Sequence, residues 1–274
     1  MSNMGFWKTL KATTVRNLRV IFKYKFEIFI NISWLILDII AFSLLGHIVE
    51  STSVDLEYSL RDFLLVGVFF WAFFGKSYDD TVNCIPEEAS RGTLGFLLTN
   101  NVSFVTLLTA RAAASSIISA VVAICIIFPI LALLDVLQLQ LQWLLLAMVI
   151  FFLCWLFMLG VSLLVSSVNV VFKRIGLFSA LFLWALKILS GYFFPVEALD
   201  DFVPGLSFMA MSLPTSAGLQ LIRWVLILGA PPPEMMWNAL TSLLIGTTIV
   251  MVAAIITLKQ MEKIAAKVGT LEFY

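Results

Sequence analysis

Six long apolar runs alternate with polar connectors along this chain of 274 residues. They lie near Ile28 to Val49, Phe63 to Ile85, Phe104 to Leu134, Trp143 to Val168, Ile175 to Phe194 and Met236 to Leu258. A hydrocarbon core about 30 Å thick needs roughly 20 apolar residues per helix, so each run is long enough for one crossing. The bilayer offers no water to an open backbone, so each run is predicted to be helical. Membrane strands would alternate over segments of about ten residues, whereas these runs are apolar on every face. The fold class is an all-α polytopic membrane protein with six transmembrane helices.

The breaks in the pattern predict three further elements. Before the first run, Phe6, Leu10, Thr14, Leu18, Ile21 and Phe22 recur at three- and four-residue spacing with bases between them. Residues 1–27 therefore read as an amphipathic helix lying in the membrane interface, as an anchor or as part of a gate. This stretch is too long for a cleavable signal peptide, and no small-residue cleavage site follows the first run. Toward the third run, the 28 residues from Lys76 to Ser103 carry four acids, two bases and a Leu94/Leu97/Leu98 face. A short helix near 86–99 fits, either docking a soluble partner or lying on lipid headgroups. Residues 196–230 are broken by Pro204, Gly205, Pro214, Gly218 and Gly229, which favours two short helices dipping in from the outer face. The six-helix domain then covers 28–258, with a tail at 259–274.

Composition agrees with the pattern and charge adds an orientation. Hydrophobic residues make up 61% of the chain and charged residues 12%, about half the charged share of an ordinary soluble domain; mean hydropathy is +1.04. Of the 17 bases, 14 fall on one side of the predicted membrane: Lys8, Lys11, Arg16, Arg19, Lys23, Lys25, Lys76, Arg91, Arg111, Lys173, Arg174, Lys259, Lys263 and Lys267. Glu50, Asp55, Glu57, Asp62, Asp135, Glu197, Asp200, Asp201 and Glu234 fall on the other. Bases are retained on the cytoplasmic side. Both termini and the 86–99 segment are therefore expected in the cytoplasm of a multi-pass cell-membrane (plasma or inner membrane) protein.

Apparent catalytic signals fail on spacing. Gly75-Lys76-Ser77 resembles the end of a phosphate loop, but Phe70 stands where the pattern requires a glycine. Leu189-Ser190-Gly191 is followed by Tyr192 and Phe193 inside an apolar run. His47 stands alone, and Cys84, Cys125 and Cys154 are widely spaced, so no metal site or disulfide framework is indicated. No catalytic residue, metal or cofactor is expected in the chain, and no nucleic-acid partner. Asp38 and Lys187 fall inside the first and fifth runs, where charges are costly and usually functional. At 1.5 Å per residue both sit about 15–18 Å deep. They either pair with each other or act separately, with Lys187 snorkelling outward.

Three motifs in this order resemble the permease subunit of type-2 ABC exporters. Glu88-Ala89-Ser90-Arg91-Gly92-Thr93-Leu94 is similar to the family's E-x-x-R-G-T-L coupling segment. Ser190-Gly191-Tyr192-Phe193-Phe194-Pro195 with Leu199 resembles S-G-x-x-F-P…L-P, although Asp200 replaces the second proline. Leu213-Pro214-Thr215-Ser216-Ala217 with Arg223 resembles N-P-L-T-x-A…R, with Leu213 in place of asparagine.

The resemblance implies an ATP-driven exporter whose hydrolysis belongs to two copies of a separate ABC ATPase subunit, which would bind ATP and Mg. It implies a dimer with a second copy or with a similar permease, and contact with membrane lipids. Glu87, Glu88, Arg91, Gly92, Thr93 and Leu94 would form the ATPase-coupling segment, and Pro195, Pro214 and Arg223 would belong to an outer re-entrant hairpin. The same geometry would bring Asp38 and Lys187 to the dimer interface. With 24 Phe, eight Trp and few polar positions in the runs, a hydrophobic or amphipathic substrate is favoured: a drug-like molecule, a lipid or a lipid-linked glycan. The alternative is a secondary transporter or channel that uses Asp38 or Lys187 as a proton relay, which paired broken helices in two repeated halves would favour.

Overall fold

The computed structural model describes residues 6–50, 59–100, 102–138, 140–172, 176–201 and 203–268. Asp55, Glu57, Lys173 and Arg174, which entered the charge bias, lie outside the described residues, as do the side chains of Glu50, Leu98, Glu234 and Lys267. Among the described residues every regular element is helical. Helix α1 (Phe6–Lys23) and α2 (Lys25–Glu50) are separated by Tyr24 alone, and α3 (Leu60–Val82), α4 (Cys84–Ser90) and α5 (Leu94–Thr99) follow. Next, α6 (Phe104–Val122) runs through a π-helical turn at Ala123–Ile127 into α7 (Phe128–Leu133). After α8 (Leu141–Phe172) and α9 (Gly176–Leu189) come a 3₁₀ turn at Val196–Asp201, α10 (Leu206–Met211), α11 (Pro214–Arg223), a π-helical stretch at Trp224–Leu228 and α12 (Pro233–Val268).

Four stretches are long and apolar enough to cross a membrane: Lys25–Ile48, Phe104–Leu133, Gln142–Asn169 and Met235–Ile264. They make this an all-helical, membrane-embedded protein. The other two predicted runs depart from the expectation of six equal spans. Helix α3 ends at Val82, three residues before the end of its predicted run, and Lys76, Asp79 and Asp80, which also open the polar stretch from Lys76 to Ser103, are helical residues within it. Helix α9 stops at Leu189 and is 14 residues long, about 21 Å, short of a 30 Å hydrocarbon core. Its run continues as apolar sequence to Phe194, but Gly191 adopts a positive φ of 74° that ends the helix there.

Helix α3 is the centre of the bundle. Seventeen of its 23 residues are buried, against α2, α6, α8 and α11, which is why it tolerates charges that a lipid-facing helix would not. Phe69, Phe73 and Phe74 pack on Phe151 of α8 at centroid distances of 5.8, 4.6 and 4.8 Å. Polar side chains join the helices across this core. The Tyr78 hydroxyl donates to the Ser179 carbonyl (3.1 Å), Trp71 Nε1 to Ser190 Oγ (3.0 Å) and Asn169 Nδ2 to the Val82 carbonyl (2.8 Å).

The amphipathic α1 does form and packs on α6, with the half-buried Leu10, Thr14, Leu18 and Ile21 of the apolar stripe at the edge of the buried face. Thr13 and Asn17 are buried, whereas Trp7 and Phe22 are exposed. Small side chains let the two backbones approach closely, and the aromatic residues are left for the surrounding medium.

At the opposite end of the chain order, α10 and α11 are the two short helices expected of residues 196–230. Helix α11 is packed among α3, α8 and α12 and is buried apart from Gln220. Its Pro214 is buried and Pro195 is half-buried. Arg223 fastens α11 to the bundle. It is 1% exposed, its guanidinium lies 3.4 Å above the Phe63 ring, and it donates to the carbonyls of Phe63 (3.3 Å) and Gly191 (2.9 Å).

Candidate functional site

The segment from α4 to α5 folds as a helix, a tight turn and a second helix. Arg91 is the C-cap of α4 and Gly92 follows with φ = 68°. The Gly92 amide donates to the Ala89 carbonyl and the Thr93 amide to the Glu88 carbonyl, each at 3.0 Å, which is the Schellman ending of a helix. Thr93 Oγ1 also donates to the Glu88 carbonyl at 3.2 Å and to its carboxylate at 2.5 Å. Leu94 and Leu97 sink into a second apolar cluster with Cys84, Ile85, Leu107 and Leu108.

Two arginines from other helices brace this turn against the bundle, and a third, Arg91, pairs within it. Arg16 of α1 pairs with Glu88, whose side chain is 5% exposed. Arg111 of α6 reaches Glu87 at 2.8 Å, and Arg91 reaches the same carboxylate at 3.4 Å. Burial pushes the Glu87 carboxyl above its usual range, against the opposing pull of Arg111 and Arg91. Glu88, expected to face a partner, is thus turned inward as part of the brace. The outward face of the turn consists of Arg91, Gly92, Gly95 and Phe96, the last 70% exposed.

Beside the brace lies a partly open cavity of about 270 Å³, lined by residues of α1, α2, α3, α4, α6 and α9. Along α2 it extends from Glu27 to Asp38, about 17 Å of helix. Five acids and four bases line it: Glu27, Asp38, Asp79, Asp80 and Glu87 with Lys76, Arg91, Arg111 and Lys187. Near the brace these charges are tied. Lys76 meets Asp80 at 2.9 Å and Glu27 at 3.9 Å, and Ser115 Oγ donates to Asp80 at 2.6 Å.

Asp38 and Lys187 line the same cavity within one chain. They do not form an ion pair within 4.0 Å among the described residues. The Lys187 ammonium instead lies over the rings of Trp184 (5.1 Å), Tyr192 (5.6 Å) and Trp71 (5.9 Å).

The structure therefore joins Glu87 and Arg91 to Asp38 and Lys187 through one cavity and places Pro195, Pro214 and Arg223 elsewhere. It also adds Arg16, Lys76, Asp79 and Asp80, which the sequence reading did not single out as site residues. The signal for the last three is local: a base and two acids within five residues, inside a predicted membrane helix. Arg16 carries no such signal, because its partner is 72 residues away. No protein-family model matches the chain, and no curated protein matches it.

Proposed function

We propose that the chain is the membrane-spanning permease subunit of an ATP-driven exporter, with ATP and Mg bound by two copies of a separate ATPase subunit. In this reading α3 and α9 complete a six-span domain around the four apolar helices, both termini are cytoplasmic, and the permease works as a dimer with itself or a similar chain. The cavity is its inward-facing binding chamber, which takes a hydrophobic or amphipathic molecule from the cytoplasm or inner leaflet.

The observation that carries the reading is the link between the α4–α5 turn and the cavity. Arg111 and Arg91 line the chamber and grip Glu87 of the turn, while Arg16 ties the turn to α1, whose Val20 and Ile21 also line it. A partner seated on Gly92, Gly95 and Phe96 would move the turn, and the arginines would carry that movement to the chamber walls. Two-state elements biased by a partner in this way are the physical basis of coupling between sites.

Affinity purification of the chain from its native membranes, followed by an ATPase assay, tests the reading. A stoichiometric ATPase whose hydrolysis loses its substrate stimulation in Phe96→Asp and in the Glu88→Ala, Arg91→Ala double variant supports it. Transport into proteoliposomes that hold this chain alone, driven by a proton gradient, would replace it with the secondary-transporter reading. Asp38 or Lys187, which both line the cavity, would then be the relay.

A further inference from the structure

We propose that the cavity binds an amphipathic organic cation, with Asp38 and Asp79 taking the charge and Trp34, Trp71 and Phe73 taking the apolar body. The use of such a site in export rests on the function proposed above; the binding itself is a property of this chain alone.

The argument begins with charge. Six of the nine ionisable side chains on the wall are engaged with one another: Lys76 with Asp80 and Glu27, and Glu87 with Arg91 and Arg111. Three acids and three bases cancel. What remains is Asp38, Asp79 and Lys187, two acids and one base. Among the described residues neither Asp38 nor Asp79 has an ion pair within 4.0 Å or a side-chain hydrogen bond, and both are exposed to the chamber they line. One negative charge is left over inside low-dielectric walls, which concentrate its field on whatever enters. A monocation is matched there, and an anion is repelled.

The walls supply the second half of the recognition. A ring face is electron-rich and attracts a cation within about 6 Å, most strongly when water is displaced. The chain already demonstrates this at the deep end, where the Lys187 ammonium rests over three rings and one of them, Trp71, lines the cavity. At about 270 Å³ the chamber is near the lower limit of ordinary small-molecule sites, about 300 Å³, which suits a molecule of two or three rings. A bare metal ion fits poorly, since no group of three His, Cys, Asp or Glu side chains converges among the described residues.

The experiment uses the full chain in lipid nanodiscs without ATPase or nucleotide. The probe is the fluorescent monocation 4-(4-dimethylaminostyryl)-N-methylpyridinium, compared with the same molecule lacking the N-methyl group, which is neutral in mildly alkaline buffer. The cation should bind at least about tenfold more tightly than its neutral analogue. Asp38→Asn and Asp79→Asn should each weaken cation binding about tenfold and leave the analogue unaffected, with Asp79→Glu recovering most of the loss. Lys187→Met should tighten the cation severalfold by removing the resident positive charge. Equal affinity for cation and analogue overturns the proposal, as do asparagine variants that bind the cation like the native chain, or a weaker cation after Lys187→Met. Should an asparagine variant fail to fold, the native comparison and Lys187→Met still decide. Failure here leaves the exporter reading standing, and a missing ATPase partner leaves the cation site standing.

Discussion

The α4–α5 turn and the α10–α11 hairpin are both short helical insertions between long helices, and arginine secures each, but in opposite ways. At the turn the guanidinium groups meet carboxylates, and the side chains of Arg16 and Arg91 keep 33% and 35% of their surface exposed. Partly exposed ion pairs are worth about 0–1 kcal/mol each, so they can break and re-form without unfolding the segment. At the hairpin Arg223 is wholly enclosed, held by two carbonyls and an aromatic face, and moving it would strand polar groups away from water. The turn is therefore built to shift and the hairpin to stay. Arg111, with a side chain only 7% exposed, is the pivot between the turn and the cavity wall.

The largest expected effect lies at the fixed end. Arg223→Met preserves much of the volume but leaves the Phe63 and Gly191 carbonyls without their charged donor, and should lower stability by about 3 kcal/mol. Thermal unfolding of the purified chain checks this. A loss no greater than that of Arg91→Met would erase the contrast between the two regions.

At the movable end the expected quantity is a coupling. Arg16→Gln and Glu88→Gln should be non-additive by about 1 kcal/mol in a double-mutant cycle, because the buried Glu88 loses its cation in one case and Arg16 its anion in the other. The coupling should shrink in high salt, since Arg16 is partly solvated. A salt-independent coupling would make the brace as rigid as the hairpin. Gly92→Ala sharpens the same comparison. Nothing lies within 4 Å of a Cβ at Gly92, so its cost of about 1 kcal/mol would come from the positive φ alone. Gly95 has equally open space and no positive φ, so Gly95→Ala should be neutral or slightly stabilising. Equal responses at both glycines would remove the Schellman turn as the element that shapes the segment.

The two regions also differ in how far they could be read without coordinates. Periodicity and apolar length are local properties, and they placed α1, α2, α6, α8, α12 and the two short hairpin helices close to where they lie. The end of α9 was missed because Tyr192, Phe193 and Phe194 continue the apolar run, while the decisive fact is the backbone angle at Gly191. Helix α3 was read at nearly its full length, but its charges also look like the start of a connector; in the fold Asp80 is buried, Lys76 half-buried and Asp79 exposed on the cavity wall. The motif Glu88 to Leu94 falls within what the sequence presents as one short helix over 86–99, whereas the positive φ at Gly92 breaks that stretch into α4 and α5. Much of the motif serves folding: Glu88 as a brace, Gly92 as a left-handed residue, Thr93 as a donor to Glu88 and Leu94 as core. The outward face depends on Arg91 and Phe96, and which side of a seven-residue helix faces out is decided by Arg16 and Arg111, too far along the chain for spacing to show.

The smallest effect tests whether the hairpin's outer edge shares the fixity of its base. The Ser207 hydroxyl and amide donate to the Asp200 carboxylate at 2.5 and 2.9 Å, one turn before α10 leads into the Arg223-bound helix. These hydrogen bonds hold the Asp200 carboxyl below its ordinary value of 3.8. A carboxyl lowered on folding contributes stability above its unfolded value, and that contribution is lost as the pH falls through the folded value. The melting temperature of the native chain should therefore exceed that of Asp200→Asn by a constant small margin above about pH 5, and the margin should vanish as the pH drops below 3.8. The group is fully solvated, so the margin should be much smaller than the Arg223 effect. A margin that persisted in acid would mean that the carboxylate charge plays no part, and that the amide side chain of the Asp200→Asn variant fails to cap α10 for reasons of shape alone.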